Sequence, residues 1–162
     1  MSARTSLSVG DEAPDFALKD QHGQTVRLSA LRGQRAALVV FYPWAFSGIC
    51  GGELQALQEA LGDLESDDLA VVTVSTDSMY ALRTFADQEG FTFPMLSDFW
   101  PHGAVAQAYG VLHPDVGVAL RGTFLVDREG IVRWTVVNGI GDARDLGAYK
   151  EAVAALGSGI RG

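Results

Sequence analysis

The chain carries a single cysteine, Cys50, and that thiol is the first group to weigh for chemistry. It follows the continuous apolar run Ala36 to Tyr42 by way of a short loop from Pro43, next to the hydroxyl residue Ser47. The stretch that then begins, about Gly48 to Leu64, has leucines at 54, 57, 61 and 64, a helical spacing. A thiol in the first turn of a helix meets free backbone N–H groups and the positive end of the dipole, which lower its pKa. A lone cysteine can equally be a small buried apolar residue. Both readings stand on position alone. With one thiol there is no internal disulfide and no CxxC motif, so any redox chemistry runs through a free thiol.

Arg121 is the second group of interest. It stands in the mostly apolar run Val118 to Val126, where a guanidinium needs a paired anion or a route to water. A Cys50 thiolate would be such an anion. The alternative is an edge strand with Arg121 turned to solvent. Gly122 beside it would let another backbone or a ligand approach closely.

Other signals carry less. His22, His102 and His113 show no HExxH spacing, and Gly139-Ile140-Gly141 lacks the third glycine and the helix of a dinucleotide fingerprint. Asp63, Glu65, Asp67 and Asp68 read as a solvated helix exit without calcium-loop spacing. Nothing here calls for a metal or an organic cofactor. The net charge of −8 argues against a nucleic-acid partner. Met1 to Gly10 lack the apolar core of a secretory signal, and no apolar run reaches the ~20 residues of a membrane helix. The expectation is a soluble cytoplasmic protein.

The elements that must position these groups follow from periodicity. Phe16 to Leu18 and Thr25 to Leu28 flank Asp20-Gln21-His22-Gly23 as a hairpin. Ala36 to Tyr42 and Leu69 to Ser75 read as strands buried on both faces. Ser78 can cap a helix Met79 to Glu89 that Gly90 ends. A short helix over Gly103 to Tyr109 precedes a second hairpin, Val118 to Val126 and Ile131 to Val137, and a helix about Leu146 to Leu156 closes the chain. At 162 residues this is one domain, an α/β thioredoxin-like layout: a central mixed sheet, helices on both faces and an N-terminal β-hairpin. Function in such a sheet gathers at the carboxyl ends of strands, where Pro43 to Cys50 falls.

Pro43, Ser47 and Cys50 match the Pro-x-x-x-Thr/Ser-x-x-Cys signature of the peroxiredoxins, and the resemblance runs through nearly the whole chain. Val9 to Phe16 resembles that family's entry segment, Phe93 to Asp98 its Phe-Pro-Leu-Leu-Ser-Asp stretch, and Arg121 to Asp127 its arginine-bearing strand. Ala45 to Cys50 and Ser97 to Val105 resemble the one-cysteine alkyl hydroperoxide reductase E type. The resemblance implies a peroxiredoxin variant of the thioredoxin fold. It implies that Cys50 is the peroxidatic nucleophile, that Pro43 shields its thiolate, and that Ser47 and Arg121 hold thiolate and peroxide. Most of the family has threonine where Ser47 stands; the hydroxyl is kept and the rotamer-restraining methyl is lost. Glu53 either orients this network, as the resemblance implies, or complements the helix dipole.

An acidic thiol alone is not a peroxidase. A fall in pKa from ~8.5 to ~6 raises the thiolate fraction at neutral pH roughly thirtyfold, while nucleophilicity falls about tenfold, a net gain of about threefold. Donors to the departing oxygen must supply more, on the order of 10²–10³ each. The expected function is therefore a thiol-dependent peroxidase that reduces hydrogen peroxide and organic hydroperoxides through a Cys50 sulfenic acid. An external thiol must resolve that acid, and the resemblance suggests mycothiol with a mycoredoxin or thioredoxin partner. The rival is a non-catalytic redox-sensing or scaffold domain; a disulfide reductase is weakened by the missing second cysteine. Trp44, Phe46, Phe99 and Trp100 either roof the core or form a partner surface, and the resemblance favours a homodimer; the same rings could give the peroxide pocket an apolar wall suited to organic hydroperoxides.

Overall fold

The computed structural model describes residues 7–64, 66, 68–138 and 146–161. Met1 to Ser6, Glu65, Asp67 and Gly139-Ile140-Gly141 lie outside them. Among the described residues seven strands form one sheet: β1 (Ala17–Lys19), β2 (Thr25–Arg27), β3 (Ala36–Phe41), β4 (Leu69–Ser75), β5 (Met95–Ser97), β6 (Arg121–Val126) and β7 (Val132–Asn138). Their spatial order is β2-β1-β5-β4-β3-β6-β7. The helices are α1 (Gly48–Leu64), α2 (Met79–Glu89), α3 (Ala104–Ala108) and α4 (Leu146–Arg161). Among the described residues no helix is long and apolar enough to cross a membrane.

β3, β4 and β5 run parallel, joined through α1 and α2. Two right-handed crossovers stepping the same way along a sheet put both helices on one face. Accordingly Leu54, Leu57 and Leu64 of α1 and Leu82 and Phe85 of α2 share one core with Leu38 and Val40 of β3. Tyr149 of α4 joins that layer. The return from β5 to β6 passes over the other face, where Ala106 of α3, Tyr109 and Phe16 pack on Ala37, Val39 and Phe41. Strand β3 is buried on both faces, which explains its unbroken apolar sequence.

Local signals set the long elements. The Ser78 hydroxyl accepts the Ala81 N–H at 3.1 Å, and Gly90 ends α2 in the left-handed region at φ 77. In the first hairpin the Asp20 carboxylate accepts the N–H groups of His22 and Gln24 at 2.9 and 3.0 Å.

Several bounds depart from expectation: β1 spans Ala17–Lys19, β3 ends at Phe41 rather than Tyr42, α3 spans Ala104–Ala108 rather than Gly103 to Tyr109, and β7 spans Val132–Asn138. β5 has no counterpart among the expected strands: three residues are too few for periodicity, and they are a strand because β4 pairs with them. Leu28 opens a 3-10 turn (Leu28–Leu31) instead of extending the hairpin. Strand β6 starts at Arg121 rather than Val118, since Val118 and Leu120 bond back to His113 and Val111 and Ala119 bridges Leu112. The last helix continues past Leu156 to Arg161.

Gly122 has a different role from the expected one. A Cβ there would lie 2.8 Å from Val111 Cγ1, so the close approach is made by a buried core side chain and not by a ligand. Val is stiff at χ1 and cannot swing away. Gly122→Ala is therefore expected to cost about 1–3 kcal/mol by overpacking, read as a lower midpoint in urea unfolding.

Candidate active site

The loop after β3 is anchored by its neighbours. Tyr42 donates its N–H to the Val74 carbonyl at 3.1 Å, continuing the pairing with β4 one residue past the strand. Pro43 and Ala45 are buried, and Trp44 and Phe46 are exposed. Phe46 adopts φ 66, a left-handed conformation that costs a residue bearing a side chain about 1–2 kcal/mol. Its ring rests against Phe85 of α2 with centroids 4.9 Å apart. Ser47 is half-buried immediately before α1, and its carbonyl accepts the Gly51 N–H at 2.7 Å. Cys50 is the third residue of α1, in its first turn.

Arg121 reaches this place from the far side of the sequence. It opens β6, which lies between β3 and β7 and so is not an edge strand. The residue is 1% exposed, which overturns the solvent-facing alternative. Burial requires a compensating anion. Nη1 donates to Oε1 of Glu53, a carboxylate of α1 whose side chain is itself only 10% exposed. Glu53 follows Cys50 by three residues along α1. The guanidinium is thus docked on the second turn of α1.

The carboxyl end of β4 supplies a group that sequence patterns did not single out. Oδ2 of Asp77 accepts the Ala45 N–H at 2.8 Å and the Ser75 hydroxyl at 2.7 Å. The Ser97 hydroxyl donates to the Asp77 carbonyl at 2.6 Å. A hydroxyl and a carboxylate just past a buried strand, at the sheet edge where sites gather, were the available signal.

Phe99 and Trp100 follow β5 and are exposed, Trp100 at 79%. Because β3, β4 and β5 are parallel, these rings, Trp44 and Phe46 all stand at the same edge of the sheet. Beneath them Asp98 is buried and accepts the N–H groups of Val105 and Ala106 at 3.1 and 2.8 Å. Burial pushes its carboxyl above the usual range, against the opposing pull of those two donors. Pro43 and Ser47 thus lie on the loop that leads into α1, Arg121 pairs with Glu53 of that helix, and Trp44, Phe46 and Trp100 are exposed; the Cys50 side chain lies outside the described residues.

Glu53→Ala removes the carboxylate set against a buried guanidinium. The expected loss is about 3 kcal/mol, measured by chemical denaturation, with Glu53→Gln less damaging.

Residues 9–135 match the family model described as "AhpC/TSA family". The chain is 50% identical over 150 residues to alkyl hydroperoxide reductase E of Mycobacterium tuberculosis, covering 93% of this chain and 98% of that protein. Among solved structures it is similar to the reduced 2-Cys peroxiredoxin of Plasmodium vivax, with a TM-score of 0.85 and 27% identity over 94% of this chain and 83% of that one. It is also similar to AhpC of Enterococcus faecalis, with a TM-score of 0.82 and 30% identity over 91% and 90% of the two chains.

Proposed function

The chain belongs to the AhpC/TSA family, is a peroxiredoxin of the alkyl hydroperoxide reductase E type and hence a thiol-dependent peroxidase, and from that premise we propose a one-cysteine mechanism centred on Cys50. The Cys50 thiolate attacks one peroxide oxygen in line. The S–O bond forms as the O–O bond breaks, and the electron pair leaves on the far oxygen. That oxygen takes a proton and departs as water or an alcohol, leaving a sulfenic acid on Cys50. The Arg121 guanidinium, the Ser47 hydroxyl and the Cys50 backbone N–H are the donors that meet the departing charge. Pro43 keeps water from the thiolate.

The observation that carries this reading is the buried Arg121, held by Glu53 one helical turn from Cys50. A guanidinium in that place costs desolvation free energy that a hydrophobic pair would not. Stabilising an oxyanion is a use that offsets it. With no second cysteine, an external thiol condenses with the sulfenic acid to a mixed disulfide and water, and a second thiol releases the enzyme. A low-molecular-weight thiol such as mycothiol, with a mycoredoxin or thioredoxin partner, fits that need. A cytoplasmic location, where such thiols stay reduced, suits the same chemistry.

Stopped-flow tryptophan fluorescence of the reduced protein mixed with peroxide, with intact mass, tests the mechanism. Rapid gain of one oxygen is expected, abolished in Cys50→Ser and slowed about 10²–10³-fold in Arg121→Ala. A wild-type rate no faster than a free thiol in solution would sink it. The exposed rings offer an apolar wall, so a long-chain hydroperoxide is expected to outpace hydrogen peroxide; equal rates would remove that preference.

The same exposed rings, Trp44, Phe46, Phe99 and Trp100, support a homodimer contact. Sedimentation velocity is expected to show a dimer that Trp100→Ala shifts toward monomer.

A further inference from the structure

Pro43 to Ser47 must be held still if the Ser47 hydroxyl and the first turn of α1 are to meet a reacting peroxide, since misplacement by about 1 Å can cost 10²-fold in rate. The loop is not in its relaxed form, because Phe46 stands at φ 66. Something outside the loop has to determine its path.

We propose that Asp77 is a positioning residue for the peroxide step, clamping the loop through the Ala45 N–H. This rests on the reading of Cys50 and its surroundings given above. Two donors, the Ala45 N–H and the Ser75 hydroxyl, converge on one oxygen, Oδ2, at 2.8 and 2.7 Å. A carboxylate suits that convergence: it accepts only, and charge-assisted bonds are roughly twice as strong as neutral ones. Asp77 is in turn fixed from three sides. Ser75 belongs to β4, Ser97 of β5 donates to the Asp77 carbonyl at 2.6 Å, and the next residue, Ser78, is the N-cap of α2. The clamp therefore transmits the rigid carboxyl edge of the parallel strands to a loop with no ladder bonds of its own beyond Tyr42. Ala45 is buried and its neighbour Phe46 strained, so releasing the Ala45 N–H lets the backbone relax where Ser47 begins.

The test compares two reactions of the same thiol. Peroxide oxidation, followed by stopped-flow fluorescence, needs aligned donors; alkylation by iodoacetamide needs only an exposed thiolate. Asp77→Ala is expected to slow oxidation about tenfold and leave alkylation unchanged. Asp77→Asn keeps an acceptor oxygen at the same point and is expected to restore most of the rate. Wild-type oxidation in Asp77→Ala overturns the proposal, as does equal loss in both variants or a parallel fall in alkylation. If circular dichroism shows Asp77→Ala unfolded, Ser75→Ala decides instead: a slower oxidation supports the clamp and an unchanged one overturns it. Cys50→Ser, run alongside, reports separately on the underlying site; retained peroxide reaction there defeats that reading, not merely the clamp.

Discussion

The structure depends on the ion pair between Arg121 and Glu53. It ties the first residue of β6 to the second turn of α1, and both partners are nearly closed to water. Removing two charges from water costs several kcal/mol per ion, and their attraction returns that only with good geometry and further hydrogen bonds. A well-packed apolar pair would hold a strand to a helix as well or better. Stability therefore does not explain why a guanidinium is placed there, against the carboxylate of α1.

That meeting is a consequence of sheet topology. β3 has a parallel neighbour on one side and an antiparallel one on the other, so its carboxyl end and the start of β6 lie at the same pole. Val40 pairs with Thr123, which sets Tyr42 opposite Arg121 if the ladder is continued two steps. The loop leaving β3 and the arginine entering β6 are thereby delivered together. Alternation along β6 does the rest. Arg121, Thr123 and Leu125 share a face, and Leu125 and the Tyr149 partner of Thr123 belong to the core under α1 and α4. Gly122 and Phe124 turn to the opposite core, which is why the glycine accommodates Val111 and takes no part in the site.

Where the sequence carried a long periodic signal, it was legible to the residue. The bounds of α1, β4 and α2 fall where leucine spacing, an apolar run, and the Ser78 and Gly90 caps put them. β5 was not legible, because three residues hold no period and become a strand only through a neighbour. The start of β6 was displaced for a similar reason: Val118 to Leu120 are apolar enough for a strand but pair with Val111 to His113. At the site, the alternatives for Arg121 separated only once burial was known. Asp77 left only a weak signal, a carboxylate just past a buried strand, because its bond is to a backbone N–H thirty-two residues away, and backbone donors leave no mark on sequence.

The strained residue joins these observations. A non-glycine φ of 66 survives where surrounding contacts over-determine it, and such outliers gather at functional sites. Glycine at position 46 would relax the backbone, yet it would give up the ring that packs on Phe85 at 4.9 Å. An aromatic pair contributes about 0.5–1.5 kcal/mol beyond area burial, enough to offset most of the conformational cost. The loop is thus held by three kinds of force: a backbone bond from Tyr42 to β4, a carboxylate on Ala45, and a ring on α2. Each reaches a different element, so no single local fluctuation releases all three. This is the condition under which donors carried on a loop can stabilise a charge that exists only in passing.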